Sequence, residues 1–491
     1  MLIGVDIGTS AVKIVLVDDG ETVVADAELP LRPTHPAPLW SEDDPDTWWQ
    51  AFCDGLDKLA ADAPKAMAAV RAIGLSGQMH TLVALDAADR PVRPAILWND
   101  GRSRAEAAEL AALGLDLQRR TGVLPMPGLT APKVLWMARH EPDTFQRTRT
   151  IMLAKDYVRL RLSGERATDV SDAAGTWLLD QARRTWCDEA VAACGARPDM
   201  LPRLVESPEP CGMLSPELAA RWGLPRGVVI SGGAGDVAAG GIGVGAVDPG
   251  DAFISIGTSS QIFVADDAHR PQPELLVHAF CHALPARWFR MAALLNGASP
   301  LAAAAQWTGG ASVATLLAEV EAAYAGPSKL LALPYLSGER TPHNDPLARG
   351  AIVGLTRDTS RADVVQAIAE SVAFSLVDGL DVLGGGGGSA PTRLALIGGG
   401  ARSAFWARLI ASVLGVQLVR YASSERGPAF GAVRLARLAS GGEDPASVVV
   451  KPAIADVIDP DLALHDAYRP RVEAFRTLYR SLKPVWPSVS L

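Results

Sequence analysis

The chain has 491 residues, 48% of them hydrophobic, which is enough for two domains with a core each. Its formal net charge is −9, and the charged residues, 21% of the total, are mixed in sign, so no basic face exists to follow a nucleic-acid backbone. No run of about 18 uninterrupted apolar residues argues for a membrane span, and Asp6 comes too early for a basic leader. Five cysteines (Cys53, Cys187, Cys194, Cys211 and Cys281) lack CxxC spacing, so neither a zinc site nor a disulfide framework is indicated; a reducing cytosol is the expected setting.

Leu2 to Asp6, Ala11 to Val17 and Thr22 to Ala27 read as three antiparallel strands, with Asp18-Asp19-Gly20 as a hairpin turn. The first runs into Gly8-Thr9-Ser10. Helical patterns cover Pro45 to Ala63 and Ser103 to Leu113, and a strand from Ala72 to Ser76 lies between them, ending in Gly77-Gln78-Met79-His80. Pro125 to Pro127 and Thr130 to Pro132 read as loop, and Lys133 to His140 as helix. The strand Val228 to Ile230 leads into Gly232-Gly233-Ala234-Gly235-Asp236. The Gly/Ala-rich stretch from Ala238 to Gly250 is the expected change of domain, because Ala252 to Ile256 then restarts the opening pattern with Gly257-Thr258-Ser259. Arg393 to Ile397 is a strand opening onto Gly398-Gly399-Gly400-Ala401. Gly384 to Gly388 is expected to be a surface loop without function, and beyond Gly441 the chain is expected to end in helical segments, Pro460 to Leu482, that only pack.

Four apolar strands thus end in glycine-rich turns, two of them with one carboxylate. Such turns let backbone N–H groups approach a phosphate, and a neighbouring carboxylate can hold a metal ion or take a proton. No Gly-Lys-Ser/Thr of a Walker loop is present, nor a GxGxxG opening a helix. Each device has a bland reading as well. Asp236 could serve as a helix N-cap before Val237-Ala238-Ala239, three glycines could be only a turn, and His80 could be a structural histidine. Lys13 reads as a solvated strand residue. Trp98, Asn99 and Asp100 suit either a ligand site or strand-end packing.

Further segments carry a resemblance: Leu39-Trp40-Ser41-Glu42-Asp43, Arg93 to Asp100, Gly128 to Trp136 with Lys133, Ser171 to Thr176, Phe280 to Pro285, Tyr335 to Pro342 and Gly398 to Ser403. With Asp6 to Ser10 and Gly77 to His80, they make the chain resemble the FGGY family of carbohydrate kinases over nearly its whole length. Gln-Met-His and Ser-Gly-Glu-Arg-Thr-Pro point to the xylulokinase branch. The resemblance implies an α/β fold of two ribonuclease-H-like domains of the actin/hexokinase-like ATPase class, facing a central cleft and spanning residues 1–243 and 244–491. It implies ATP and Mg²⁺ as cofactors, a small-molecule ketose as substrate, no nucleic-acid or membrane partner, a homodimer as the assembly and a cytoplasmic setting. Asp236 matches the catalytic base and Asp6 the residue that holds Mg²⁺ through water. Gln78, Met79 and His80 match the sugar site, together with Asp236. Thr9, Ser10, Gly257, Thr258 and Ser259 match the phosphate turns, and Gly398, Gly399, Gly400 and Ala401 the adenosine pocket. The implied reaction is phosphorylation of the terminal hydroxyl of a ketopentose, with D-xylulose first. Alternatives are a kinase for another sugar or polyol, an actin- or chaperone-like ATPase, and a sugar sensor, which would lose Asp236 or Asp6. One departure stands out: Val237 replaces the branch's Asn after the catalytic Asp, and Ala234 a Gly just before it.

Overall fold

A computed structural model describes residues 1–384, 391–422 and 427–489, so all but Gly384 of the expected 384–388 loop lies outside the described residues. The chain opens with β1 (Leu2–Ile7), β2 (Ala11–Val17) and β3 (Val23–Pro30), paired antiparallel. Along β2, Val12, Ile14 and Leu16 are buried while Lys13 is exposed, the alternation of a strand with one covered face. Asp18 turns the β2–β3 corner: its carboxylate accepts N–H bonds from Gly20 at 2.9 Å and Thr22 at 2.8 Å. In α1 (Pro45–Asp62), Asp44 caps the N-terminus and Pro45 sits at N1. Its apolar stripe of Trp48, Phe52, Leu56 and Leu59 is fully buried, each side chain contributing roughly 1.5–3 kcal/mol.

β4 (Ala72–Gly77) pairs parallel with β1. α2 (Thr130–His140) begins earlier than the sequence suggests. Thr130 to Pro132, expected as loop, form its first turn, where a proline needs no hydrogen-bonded N–H. After α3 (Ala154–Ser163) come β5 (Pro210–Met213), β6 (Val229–Ser231) and β7 (Ala234–Gly235), completing a sheet ordered β5-β6-β4-β1-β2-β3, with β7 beside β4. α4 (Asp236–Val244) then occupies much of the stretch expected as a change of domain.

The second sheet is built from β8 (Ala252–Ile256), β9 (Ser260–Asp266), β10 (His278–Cys281) and β11 (Trp288–Leu294), followed after α5 (Arg361–Gly384) by β12 (Arg393–Ile397), β13 (Gln417–Tyr421) and, beyond α6 (Gly427–Ala439), β14 (Ile454–Ile458). Its order is β10-β11-β9-β8-β12-β13-β14. The series β11-β9-β8-β12-β13 repeats the strand directions of β3-β2-β1-β4-β6: an antiparallel meander, then two parallel neighbours. The fold is therefore the expected pair of actin/hexokinase-like α/β units. β14 corrects the purely helical reading of the segment after Gly441; α7 (Leu462–Leu482) matches the rest of it.

The units meet through α6, which comes from the second half yet lies on β1 and β4 of the first sheet. A Cβ on Gly4 or Gly74 would overlap the carbonyl oxygens of Ala429 and Ala432, and one on Gly243 would stand 3.1 Å from the oxygen of Gly427. Gly243 thus serves close helix packing, and none of the α4 glycines breaks the helix. Among the described residues all five cysteines are free and buried, and no helix is long and apolar enough to cross a membrane.

Candidate active site

β1, β4 and β7 run parallel with Asp6 opposite Ser76, Ser76 opposite Ala234 and Gly77 opposite Gly235. Their carboxyl ends therefore bring Asp6, Gln78 and Asp236 to one edge of the sheet, the edge where open α/β sheets bind ligands. Asp236 is the first residue of α4, with Gly235 in the capping position, so it is not the N-cap of the helix. Its carboxylate still accepts the N–H of Val237 at 2.8 Å. Burial raises Asp236 to about 7, and the negative charge of Asp6 adds to the rise, while the amides of Asp236 and Val237 oppose it. Burial likewise raises Asp6 to about 6, against the Ser76 hydroxyl and the Lys13 ammonium. Asp6 Oδ1 and Ser76 Oγ are both buried outside hydrogen-bonding geometry, so Ser76 acts on Asp6 only weakly. A buried carboxylate oxygen lacking a partner, flanked by a second carboxylate, is a donor set suited to a hydrated Mg²⁺.

Gln78, Met79 and His80 are buried behind this edge. Gln78 Oε1 accepts from the hydroxyls of Thr9 and Thr81, each at 3.3 Å, and its Nε2 donates to the Gly8 carbonyl at 3.4 Å. Trp98 Nε1 donates to Thr9 Oγ1 at 2.8 Å. Both side chains brace the Gly8–Ser10 turn, a role for Trp98 that the sequence leaves open, and the Thr9 hydroxyl is committed to them. Met79 lies against Gly235, where a Cβ would meet its Cγ at 2.7 Å, so its thioether is next to the Asp236 backbone. His80 has φ +68°, and its Nδ1 lies 2.6 Å from the Gly175 carbonyl oxygen. A carbonyl only accepts, so Nδ1 carries the proton and Nε2 is an acceptor. Burial lowers His80 to about 3, which keeps the ring neutral. Its carbonyl accepts from Thr130 Oγ1 at 2.9 Å and from the buried Lys133 Nζ at 3.0 Å.

In the second half the Gly257–Ser259 turn closes with Gly257 N–H on the Ser259 carbonyl at 2.9 Å. Its outer carbonyls, Thr258 and Gly257, accept from Gly297 at 2.9 Å and Ala298 at 2.8 Å. Gly398 has φ +87°, and a Cβ there would stand 2.6 Å from the Ile256 oxygen, so only glycine fits. Gly399–Arg402 is a 3₁₀ turn, and Ser403 caps the next helix through Trp406 N–H at 3.2 Å. A cavity of about 310 Å³ joins the halves: Asp236, Val237 and Gly240 line one wall, and Ser255, Gly257, Ser259 and Gly398 the other. Asp236, Gly257, Ser259 and Gly398 therefore share one space. Asp6, Thr9, Ser10, Gln78, Met79, His80, Thr258, Gly399 and Gly400 lie off its lining, and the Ala401 side chain is outside what the structure describes. A larger open cavity of about 840 Å³, beside Asp44, Arg93 and Arg161, is lined by none of the candidate residues.

Sequence reasoning missed what lies under the Asp236 turn. Lys155 Nζ, fully buried, is 2.7 Å from Asp156, 2.8 Å from Asp169 and 3.0 Å from Asp172. Arg159 binds Asp156 at 2.7 Å and donates to the Gly232 carbonyl. Ser171 Oγ donates to Asp169 at 2.5 Å and accepts the Gly235 N–H at 3.3 Å. Burial, reinforced by the other two carboxylates and opposed by the Lys155 ammonium, pushes Asp172 well above the usual carboxylate range. The available signal was Lys155, Asp156 and Arg159 on one short helix, followed by Ser171-Asp172.

Residues 1–243 match the N-terminal domain, and residues 252–440 the C-terminal domain, of the FGGY family of carbohydrate kinases. The chain is 45% identical to the xylulose kinase of Escherichia coli (strain K12) over 487 residues, which is 99% of this chain and 100% of that one. It is 42% identical to that of Klebsiella pneumoniae over the same shares. It superimposes on the crystal structure of a xyloylose kinase from Brucella ovis with a TM-score of 0.94 at 44% identity, covering 98% of this chain and 99% of that one.

Proposed function

Since the chain belongs to the FGGY family of carbohydrate kinases, we propose that it transfers the γ-phosphoryl group of ATP to the terminal hydroxyl of a ketopentose, with D-xylulose as the acceptor. The observation that carries this reading is Asp236: a carboxylate raised to about 7 at a helix N-terminus, on one wall of a cavity whose opposite wall is made of the Gly257–Ser259 and Gly398 turns. A carboxylate of that basicity accepts a hydroxyl proton as the oxygen attacks phosphorus, and in-line transfer then needs mainly positioning and charge neutralisation. Backbone amides of Thr9, Ser10, Thr258 and Ser259 serve phosphate oxygens, and the Gly398 to Ala401 run serves the adenosine. Asp6 would hold Mg²⁺, and the ion would supply positive charge to the phosphates. Met79 and the Nε2 of His80 give the sugar an apolar wall and a hydroxyl acceptor. We divide the chain at 1–243 and 244–491, a boundary supported by the two repeated sheets.

Val237 favours a second reading within the same family. It lines the cavity next to Asp236 and offers only carbon there, which suits an acceptor with one polar group fewer at that point. ADP release measured against a panel of ketoses and polyols tests both readings. A rate dependent on D-xylulose is expected, and preference for another member would move the assignment. A nucleotide turnover indifferent to every sugar would overturn it.

A further inference from the structure

Asp236 stands at the end of the turn Gly232-Gly233-Ala234-Gly235, a backbone too pliable to fix the direction of a carboxylate by itself. Main chain holds its first half: Gly232 N–H donates to the Glu209 carbonyl at 2.8 Å and Gly233 N–H to that of Ser207 at 3.1 Å. Side chains of the buried ionic cluster take the remaining groups. Arg159 donates to the Gly232 carbonyl, and Ser171 Oγ accepts at 3.3 Å the N–H of Gly235, the residue that caps α4 directly before Asp236.

Both side chains are fixed in turn. Ser171 Oγ donates to Asp169 Oδ2 at 2.5 Å, and the same oxygen accepts from the Ser207 hydroxyl at 2.8 Å and the Ser171 N–H at 2.9 Å. The other oxygen of Asp169 lies 2.8 Å from Lys155 Nζ. Arg159 Nη1 is shared between Asp156 at 2.7 Å and the Ala167 carbonyl at 2.6 Å. Lys155 also lies under the neighbouring strand: a Cβ on Gly77, which pairs with Gly235, would stand 3.2 Å from its Cβ. Lys155, Arg159, Asp169 and Ser171 are fully buried, and none of them lines the cavity beside Asp236. Apolar side chains of the same volume would fill that space at lower desolvation cost, so stability alone does not account for the cluster. Two of its polar arms end on the turn that carries Asp236.

Resting on the reading of Asp236 as the base of a sugar kinase, we propose that Ser171 and Arg159 are positioning residues for phosphoryl transfer. They clamp the Gly232–Gly235 turn from inside the protein and thereby aim Asp236 at the attacking hydroxyl, while taking no part in binding either substrate. A base displaced by about 1 Å can cost about 10²-fold in rate. The loss falls on kcat, because the proton moves only in the transition state.

The test is steady-state kinetics and calorimetry on the full chain with Ser171→Ala and Arg159→Lys, each alone and combined with Asp236→Asn. Turnover is expressed per site counted from the stoichiometry of D-xylulose binding, which removes any effect of misfolded protein. Ser171→Ala takes the acceptor from Gly235 yet leaves Asp169 Oδ2 with the Ser207 hydroxyl and the N–H groups of Ser171 and Asp172, so the cluster stays assembled. Its kcat per site should fall about 10- to 100-fold, with Kd for D-xylulose and for ATP each within about twofold of wild type. Arg159→Lys keeps the charge but cannot serve Asp156, Ala167 and Gly232 together; it should show the same split, and it suffices if the alanine variant does not fold. Combined with Asp236→Asn, each change should lower the residual rate by no more than about twofold, since no base is left to aim. A kcat per site within about threefold of wild type, a matching loss of sugar or ATP affinity, or the full loss repeated on top of Asp236→Asn would overturn the proposal. Turnover of Asp236→Asn at the wild-type rate, or no turnover of any sugar by wild type, would instead sink the reading on which it rests.

Discussion

Replacing Asp236 by Asn should do two opposite things: abolish turnover and stabilise the fold. The Asn keeps an oxygen to accept the Val237 N–H but cannot take a proton, so kcat should drop at least about 10²-fold. The stability effect follows from burial. Asp236 is raised from 3.8 to about 7, and a carboxyl whose folded value exceeds its unfolded value binds the proton more tightly in the native state. Its contribution is therefore fully favourable below about 4 and is lost as pH rises through about 7. Some three pH units at about 1.36 kcal/mol each, reduced because the group is partly exposed, give about 2–4 kcal/mol of destabilisation by ionised Asp236 at pH 8. For units of this size that corresponds to roughly 4–8 °C in Tm. Thermal unfolding of the ligand-free protein in EDTA should show Asp236→Asn melting above wild type by that margin at pH 8, with less than half the gap at pH 5. A gap independent of pH, or one of the opposite sign, would refute the argument that Asp236 is a buried carboxylate held at the cost of stability.

His80→Ala removes the Nε2 acceptor and the anchor to Gly175; KM for the sugar should rise at least tenfold while KM for ATP stays within twofold in steady-state kinetics. Val237→Asn places an amide on the cavity wall beside Asp236, and one added hydrogen bond of about 0.5–1.5 kcal/mol should raise kcat/KM for D-xylulose roughly two- to tenfold. Gly398→Ala sets a Cβ against the Ile256 oxygen in a left-handed conformation, so calorimetry should show at least about tenfold weaker ATP binding with sugar binding unchanged.

What the sequence reveals depends on whether a signal is local. β1 to β3 and α1 are readable because strand alternation, the Asp18 turn and the Asp44-Pro45 cap are each written within a few residues. β14 is not: with mostly exposed residues on a sheet edge, it lacks an alternating apolar face, and pairing with β13 alone makes it a strand. The glycines of α4 mislead in the same way. In the sequence they read as a linker, and the reason for Gly243, α6 pressing on the helix, comes from residues nearly two hundred positions later. Asp6, Asp236 and the turns stand out as carboxylates and glycines at strand ends. Lys155, Arg159 and Asp172 do not, because a buried ionic cluster is assembled from a helix, a strand and a turn that share no motif.

The seat of α6 also constrains how the chain can be made. Leu2, Val17 and Ala72 of the first sheet are buried in one cluster with Phe430, Val433 and Ala436 of that helix. Until the ribosome has delivered residue 439, one face of the first sheet has nothing to cover it, so the two halves cannot mature one after the other in the usual order of multidomain synthesis. The N-terminal half must wait, partly unfinished, for a piece of its partner, and the nascent chain is the state most in need of protection from aggregation.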